Sequence, residues 1–309
     1  MSWTIRPWDL NDVEGIVRVY NEFAPMHPLT VAIFMRELET LEPRFQNIIF
    51  VAEEQAEIVG VALMSCSASS YHPQRFLLDL GVSNAHRSKG IGTALYETTV
   101  NHLKTLDVLS ISIQVGEENQ SGLKFATKRG YVEQKRDFVS ILDLSTFDPP
   151  TFSAKEQTVE IRSLQETDSP EVRRQWYELW SRVRHDVPRS EPATPLSFEF
   201  FEEQIVNEPD LVHSATLFAF VDSKMVGFTA GFHDVGANLF EQWLTGVDRE
   251  FRGKHIALSL KVTQATEAKR LGIASVKTDN DTRNAPMLAV NDRLGFVRQP
   301  AVLSMKKEF

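Results

Sequence analysis

The 309-residue sequence is poor in several features that would mark particular classes of protein. Cys66 is its only cysteine, so the chain holds no internal disulfide, which favours a reducing cytoplasm. No apolar run approaches the roughly 20 residues needed to span a bilayer. The first residues lack the apolar core of a secretory signal peptide. These absences predict a cytoplasmic protein with no membrane partner.

Basic surface and metal ligands are also scarce. The formal net charge is −9, which argues against nucleic acid as a partner, because phosphates attract basic surfaces. An acidic surface instead attracts cationic amines, although it also serves solubility alone. His213, His233 and His255 have no metal-ligand spacing, so we predict no metal site.

The chain repeats itself at an offset of 165 residues. Residues 81–134 align with residues 246–299 without a gap, and 15 of these 54 positions are identical. Chance alone would give about three identities, so the repeat indicates duplication of a domain. We predict domains at 1–146 and 158–309, joined by a Pro-containing linker at 147–157.

Each half has the same predicted order of secondary structure. A short strand is followed by helical segments, three strands, a long helix, a strand, a short helix and a closing strand pair or hairpin. This order predicts an α/β fold in each half, with a mixed, mostly antiparallel sheet flanked by helices.

A glycine-containing basic turn, "HRSKGIG", precedes the long helix of the first half, and "FRGKHIA" stands at the same place in the second. The N-terminus of a helix offers free N–H groups and a partial positive charge, which bind anions. Neither turn fits the phosphate-binding P-loop or the dinucleotide fingerprint. The turns therefore predict a pyrophosphate site of another kind.

The context of these turns is repeated as well. An asparagine follows each turn's arginine at the same distance, and a Gly-aromatic pair ends the next helix. This order resembles the GNAT family of N-acetyltransferases, twice over. "NAPMLAVNDRLGF" further resembles the second half of tandem members of the mycothiol synthase type.

The resemblance implies acetyl-CoA as the cofactor. The loop amides would hold its pyrophosphate, the preceding strand would contact pantetheine, and the later asparagine would contact the cofactor. Carried over, the cofactor-binding residues are Val82, Arg87, Ser88, Lys89, Gly90, Ile91, Gly92 and Asn119, with Val247, Arg252, Gly253, Lys254, His255, Ile256, Ala257 and Asn284 in the second half.

The sequence departs from the family pattern at several positions. His255 and Ala257 replace Gly90 and Gly92, which weakens the second loop without excluding it. Many family members carry a tyrosine acid seven residues after the asparagine. Here those positions are Ala126 and Asn291, and we expect Asn291 to act near the cofactor of a catalytic C-terminal half.

The family's base also has a counterpart. In histone-acetylating members it is a glutamate six residues before the strand's last valine, and this count reaches Glu241 in the second half but Phe76 in the first. We expect Glu241 to lie on a mostly buried strand, with a raised pKa that suits a base. Asp79 is the only acid on the equivalent strand of the first half.

Three functions stay open at this point. The first is N-acetyl transfer to a small-molecule or peptide amine. The second is acyl transfer to a thiol or hydroxyl, or from a longer acyl chain. The third is a duplicated CoA-binding module that senses or scaffolds. The sequence leaves the acceptor open, as well as the choice between monomer and homodimer.

Overall fold

The computed structural model describes residues 3–24, 28–39, 47–66, 70–149, 159–188 and 193–309. The first half contains β1 (Trp3–Pro7), α1 (Val13–Phe23), α2 (Val31–Glu39), β2 (Ile48–Glu54), β3 (Glu57–Ser65), β4 (Arg75–Val82), α3 (Ile91–Lys104), β5 (Ser110–Gly116), α4 (Gln120–Lys128) and β6 (Val132–Asp143). The second half contains β7 (Glu160–Ser163), α5 (Leu164–Thr167), α6 (Pro170–Val183), α7 (Phe198–Phe201), β8 (Leu217–Val221), β9 (Lys224–Asp234), β10 (Leu239–Val247), α8 (Ile256–Arg270), β11 (Ser275–Asp281), α9 (Ala285–Leu294) and β12 (Val297–Glu308).

The chain forms two compact units. The N-terminal unit comprises residues 1–115, 120–134 and 304–309, and the C-terminal unit comprises 116–119 and 135–303. The last residues of the chain thus belong to the first unit, where the Phe309 amide donates to the Leu109 carbonyl. Most of β6 belongs to the second unit, where it pairs antiparallel with β11. Most of the predicted linker, residues 150–157, lies outside the described residues.

The sheets have the predicted mixed, mostly antiparallel character. In the N-terminal unit β1, β2, β3 and β4 pair antiparallel in sequence order, and β4 pairs parallel with β5. In the C-terminal unit β7, β8, β9 and β10 repeat this order, and β10 pairs parallel with β11. The fold class is therefore confirmed.

Helices cover the sheet of each unit because their apolar residues recur at helical spacing. Helix α1 buries Val13, Ile16 and Val17 against β3. In the C-terminal unit α6 buries Trp176 and Trp180 in an aromatic cluster. Both tryptophans are therefore part of the core.

One sequence prediction is wrong in detail. Each half was expected to end in a strand pair or hairpin, but β6 and β12 are single strands of 12 residues. β6 contains no glycine, proline or asparagine to form a turn, so nothing interrupts its extended backbone. In β12 Pro300 lies inside the strand and does not end it.

Candidate functional site

The first glycine-containing turn joins β4 to α3. A short turn of residues 84–86 follows β4, and α3 begins at Ile91. The Arg87 side chain folds back, so that its Nε donates to the Val82 carbonyl over 3.2 Å. The side chains of Arg87 and Lys89 are exposed. Basic side chains thus border an exposed helix N-terminus.

The second turn has the same construction. A short turn of residues 249–251 follows β10, and α8 begins at Ile256. Arg252 Nε donates to the Val247 carbonyl over 3.0 Å, as in the first half. Arg252 and Lys254 are exposed. The duplication has therefore preserved the loop and the contact that braces it.

The two loops also share an unusual backbone. Ser88 and Gly90 have φ angles of 62° and 84°, and the equivalent Gly253 and His255 have 74° and 59°. Each loop therefore places a glycine at one of its two left-handed positions and a larger residue at the other. Such alternating backbone turns successive N–H groups toward one side and forms a concave anion site. Together with the free amides of the helix N-terminus, this geometry suits a phosphate group.

The replacement of Gly92 by Ala257 leaves room for the same loop. A Cβ placed on Gly92 would lie 3.5 Å from the Val82 Cγ2 atom, which is ordinary van der Waals contact. The His255 side chain is exposed, so it is not packed into the interior of the loop. Ile91 and Ile256 are 1% and 3% exposed and anchor the two helices.

An opening begins beside each loop, where two parallel strands separate. Within the described residues β4 pairs with β5 only from Arg75 to Leu77, although β4 continues to Val82. Likewise β10 pairs with β11 only as far as Gln242, although β10 continues to Val247. The unpaired backbone beside each loop is available to an extended ligand, because strand edges present free N–H and C=O groups.

Glu241 lies at the point where β10 and β11 begin to separate. Its side chain is 44% exposed and its Oε1 lies 3.4 Å from Nζ of Lys277, which is 3% exposed. The expected burial of this carboxylate is thus not found, because Glu241 faces an ion pair and solvent. A β-bulge between Gln242 and Leu244 lies directly beyond it. Bulges are common next to active sites, where they change the direction of side chains.

Asn291 lies in the interior of the C-terminal unit and is 1% exposed. Its Oδ1 accepts a hydrogen bond of 2.5 Å from Lys261 Nζ, and its Nδ2 donates to Asn280 Oδ1. Both ends of the amide are therefore engaged. Sequence reasoning missed Lys261, although its spacing from Leu258 and Ala265 places it on the buried face of α8.

The two asparagines that occupy equivalent positions in the two halves each precede a short helix. Asn119 directly precedes α4 and is exposed. Asn284 precedes α9 and is half-buried, and its carbonyl accepts from the amides of Met287 and Leu288. The Asn284 side chain does not cap the helix.

Asp186 is a further residue that sequence reasoning missed. Its carboxylate accepts hydrogen bonds from Arg249 and Arg252, the second of which belongs to the C-terminal loop. These guanidinium groups lower the pKa of Asp186 to about 2, with Arg249 the larger cause. Asp186 lies next to Val187, at the start of a proline-rich segment of which residues 189–192 are outside the described residues. In the first loop Arg87 instead donates to the Val82 carbonyl, and within the described part of the chain it forms no such ion pair with a carboxylate.

Among the described residues, no three His, Cys, Asp or Glu side chains are grouped so as to hold a metal ion. No helix in that part of the chain has both the length and the apolar character to cross a membrane.

Residues 16–131 match the sequence model of the acetyltransferase (GNAT) family. No curated protein matches the chain in sequence. The match lies in the N-terminal half and includes the first loop, the strand before it and the helix after it.

Solved structures extend the likeness to the whole chain. A GCN5-related N-acetyltransferase from Sphaerobacter thermophilus has a TM-score of 0.76 at 18% identity, over 99% of this chain and 95% of that one. A tandem GNAT protein from the clavulanic acid biosynthesis pathway has a TM-score of 0.77 at 20% identity, over 99% and 98%. The glucosamine N-acetyltransferase region of a fungal β-N-acetylglucosaminidase has a TM-score of 0.73 at 14% identity, over 98% and 38%.

Proposed function

We propose that the chain is a GNAT acetyltransferase that transfers acetyl from acetyl-CoA to an amine, because residues 16–131 match the family and the whole chain has the fold of solved GNAT structures. The observation that carries this proposal is the pair of loops with matching left-handed positions, each beside two separating strands. The acceptor is a small molecule or a peptide. Reactions on small amines agree with the glucosamine acceptor named for the fungal relative. A cytoplasmic location is part of the proposal, since the chain contains a single cysteine and so forms no internal disulfide.

The loops would hold the diphosphate of CoA. Backbone amides of Arg87–Gly92 and Arg252–Ala257 would donate to its oxygens, and the exposed Lys89 and Lys254 would add positive charge. The free edges of Val82 and Val247 would pair with the pantetheine arm. Asn119 and Asn284, each directly before the next helix, would also contact the cofactor.

Charge reversal in each loop tests this assignment. Calorimetry with CoA should give two equivalents for the wild type, one for Lys89→Glu or Lys254→Glu, and none for the double variant. Reversing Lys104, at the far end of α3, serves as the control and should leave both equivalents. Two equivalents in the double variant would remove the loops from the proposal.

Catalysis is assigned to the C-terminal half, with Glu241 as the base. An ammonium acceptor must lose its proton before it attacks the thioester, and Glu241 lies at the opening of the strands with its carboxylate open to solvent. Asn291 is assigned a positioning role, because its amide links Lys261 to Asn280 inside the unit. It would act on the cofactor through Asn280, on β11, and not by direct contact.

The test of Glu241 compares Glu241→Gln with Glu267→Gln, a carboxylate that pairs with Arg270 on α8. With a panel of primary amines, Glu241→Gln should lower kcat/KM by about 10²- to 10⁴-fold, the usual contribution of a general base. Glu267→Gln should keep the wild-type value. Wild-type kcat/KM in Glu241→Gln for every amine would remove Glu241 from catalysis.

A CoA-binding module without turnover is the second candidate, and a specific observation favours it. The two positions of the family's tyrosine acid hold Ala126, which is 1% exposed, and Asn291, whose amide is engaged. Release of CoA thiol across panels of amines, thiols and alcohols separates the alternatives. Release with amines supports the N-acetyltransferase, release with thiols or alcohols supports another acceptor, and binding without release supports the module.

A further inference from the structure

Two side-chain amides border the opening between β10 and β11. Gln242 is the last residue of β10 that pairs with β11, opposite Thr278, and Asn280 lies two residues farther along β11. Because directly paired residues and alternate residues of a strand share a face, both amides lie on the same face of the sheet. They contact α8 and α9, through Gln264 and Asn291 respectively. Each strand therefore contributes one amide to the same side of the opening.

The amide of Gln242 is held in one orientation by its partners. Gln264 Nε2 donates to the Ala215 carbonyl over 2.8 Å, and a carbonyl only accepts, so Gln264 turns its Oε1 to Gln242. Gln242 Nε2 donates to that oxygen, which also accepts from Thr229. Gln242 is 5% exposed, and its own Oε1 has no hydrogen-bond partner among the described residues. An unsatisfied buried acceptor is unfavourable, so this oxygen is complementary to an N–H group of a ligand.

A buried lysine sets the orientation of the second amide. The ammonium of Lys261 only donates, so Asn291 turns its Oδ1 to Lys261 Nζ, at 2.5 Å. Asn291 Nδ2 is thereby directed to Asn280 Oδ1 and donates to it. Asn280 is half-buried, and within the described part of the chain its Nδ2 donates to no other side chain or carbonyl. Asn280 thus offers N–H donors beside the opening.

The first half has apolar side chains at both positions. Counted from the first paired residues of the parallel strands, Leu78 occupies the place of Gln242, and Val115 occupies that of Asn280. Both of these apolar residues are buried. The pair of amides therefore distinguishes the second opening from the first.

We propose that Gln242 and Asn280 form a side-chain site for the amide of the CoA arm that lies nearest the sulfur. The amide N–H donates to Gln242 Oε1, and the amide C=O accepts from Asn280 Nδ2. One free acceptor and one free donor on facing strands match the two polar groups of a secondary amide. The inference rests on the proposed binding of CoA at the second loop.

The position of the two amides agrees with the length of the arm. A chain that starts at the second loop and follows β10 from Val247 back to Gln242 passes five residues, or about 17 Å. The extended arm of CoA is of similar length, so its sulfur end reaches the point where the strands meet. The second half would then recognise the arm as well as the diphosphate, and the first half would lack this side-chain contact.

The experiment compares CoA with ADP, which carries a diphosphate but no arm. Calorimetry on the full chain carrying Lys89→Glu isolates the second loop. Adding Gln242→Leu or Asn280→Val should weaken CoA binding about five- to tenfold, the usual effect of losing one hydrogen bond to a ligand, and should leave ADP binding unchanged. Gln204→Leu, which removes an exposed amide between α7 and β8, is the matched control and should alter neither affinity.

A second measurement changes the ligand and does not depend on how the variants fold. A CoA analogue with an ester in place of that amide keeps the C=O but lacks the N–H. It should bind the chain carrying Lys89→Glu about five- to tenfold more weakly than CoA. With Gln242→Leu added, CoA and the ester analogue should bind equally, because the acceptor for the N–H is gone.

The outcomes separate this site from the cofactor proposal. Equal binding of CoA and the ester analogue to the chain carrying Lys89→Glu overturns the inference and leaves CoA binding at the loop intact. The same holds if Gln242→Leu and Asn280→Val leave the affinity for CoA unchanged. Binding of neither CoA nor ADP to the chain carrying Lys89→Glu contradicts the proposed function at the second loop, and the amide site fails with it.

Discussion

Lys261 of α8 and Asn291 of α9 are joined in the interior of the C-terminal unit by a hydrogen bond of 2.5 Å. Asn291 continues the contact to Asn280 on β11. In the first copy the equivalent positions are Tyr96, Ala126 and Val115, which form no such chain. The second copy therefore contains a buried polar connection beneath its helix, where the first copy has aromatic and aliphatic side chains.

Lys261→Met should stabilise the C-terminal unit near neutral pH. Burial lowers the pKa of Lys261 from 10.5 to about 7, so the unfolded chain binds more protons between these values and stability rises with pH across them. Relief of this cost is worth ~4 kcal/mol at pH 7, offset by about 1–3 kcal/mol for the acceptor left on Asn291. Urea unfolding at pH 7 and pH 10 measures the stability of both proteins. If Lys261→Met lost the same amount of stability at both pH values, the prediction would be contradicted.

Asp79→Asn should stabilise the N-terminal unit at alkaline pH. The folded-state pKa of about 6 lies above the ordinary 3.8, so the wild type loses stability as pH rises through 6. The variant escapes this cost, which has an upper limit of ~3 kcal/mol at pH 8. Denaturant unfolding at pH 4 and pH 8 should show the gain only at pH 8. A gain at both would mean that the charge of Asp79 is not its source.

The left-handed positions of the two loops should respond to substitution in opposite directions. His255 has a φ angle of 59°, which disfavours a side chain, so His255→Gly should stabilise the C-terminal unit by about 1 kcal/mol. Gly90→Ala, at a φ angle of 84°, should destabilise the N-terminal unit by a similar ~1 kcal/mol. Thermal unfolding of both variants measures this. Gly92→Ala is the control and should have little effect, since the second copy already carries alanine there.

Asp186→Asn should strengthen CoA binding at the C-terminal loop. In the wild type, the Asp186 carboxylate accepts hydrogen bonds from Arg249 and Arg252 and adds negative charge where a diphosphate would bind. Removing that charge should lower Kd a few-fold, by about 0.5–1 kcal/mol. Calorimetry in a Lys89→Glu background isolates this loop. Asp168→Asn breaks a comparable bond to Arg173 elsewhere and should leave Kd unchanged. A weaker affinity in Asp186→Asn would mean that Asp186 instead holds Arg252 in its binding position.

Much of the fold could be predicted because the same sequence pattern of strands, turns and helices occurs in both halves of the chain. The strands around Gly81 and Gly246, the glycine-containing turns and the long helices follow from apolar periodicity and turn residues, and the structure has them. The left-handed backbone at Ser88 and His255 was harder to predict from the sequence. Only one of the two such positions in each loop carries glycine, so comparison of the copies is needed to locate both.

The details of the candidate site were harder to predict because they depend on contacts between distant residues. The exposure of Glu241 follows from its place beside Lys277 and before the β-bulge, and neither the bulge nor the parallel pairing is marked in the local sequence. Asp186 meets Arg252 across 66 residues of chain. The burial of Lys261 could have been predicted, because helical spacing alone places it on the buried face of α8.

The closing strands β6 and β12 decide what would be lost if the chain were cut between its two sequence halves. Residues 304–309 complete the first unit and residues 135–143 belong to the second. A cut between the copies would therefore leave an N-terminal fragment without its final six residues and a C-terminal fragment without the strand that pairs with β11. Expressed separately, each sequence half would therefore lack part of the compact unit to which most of its residues belong.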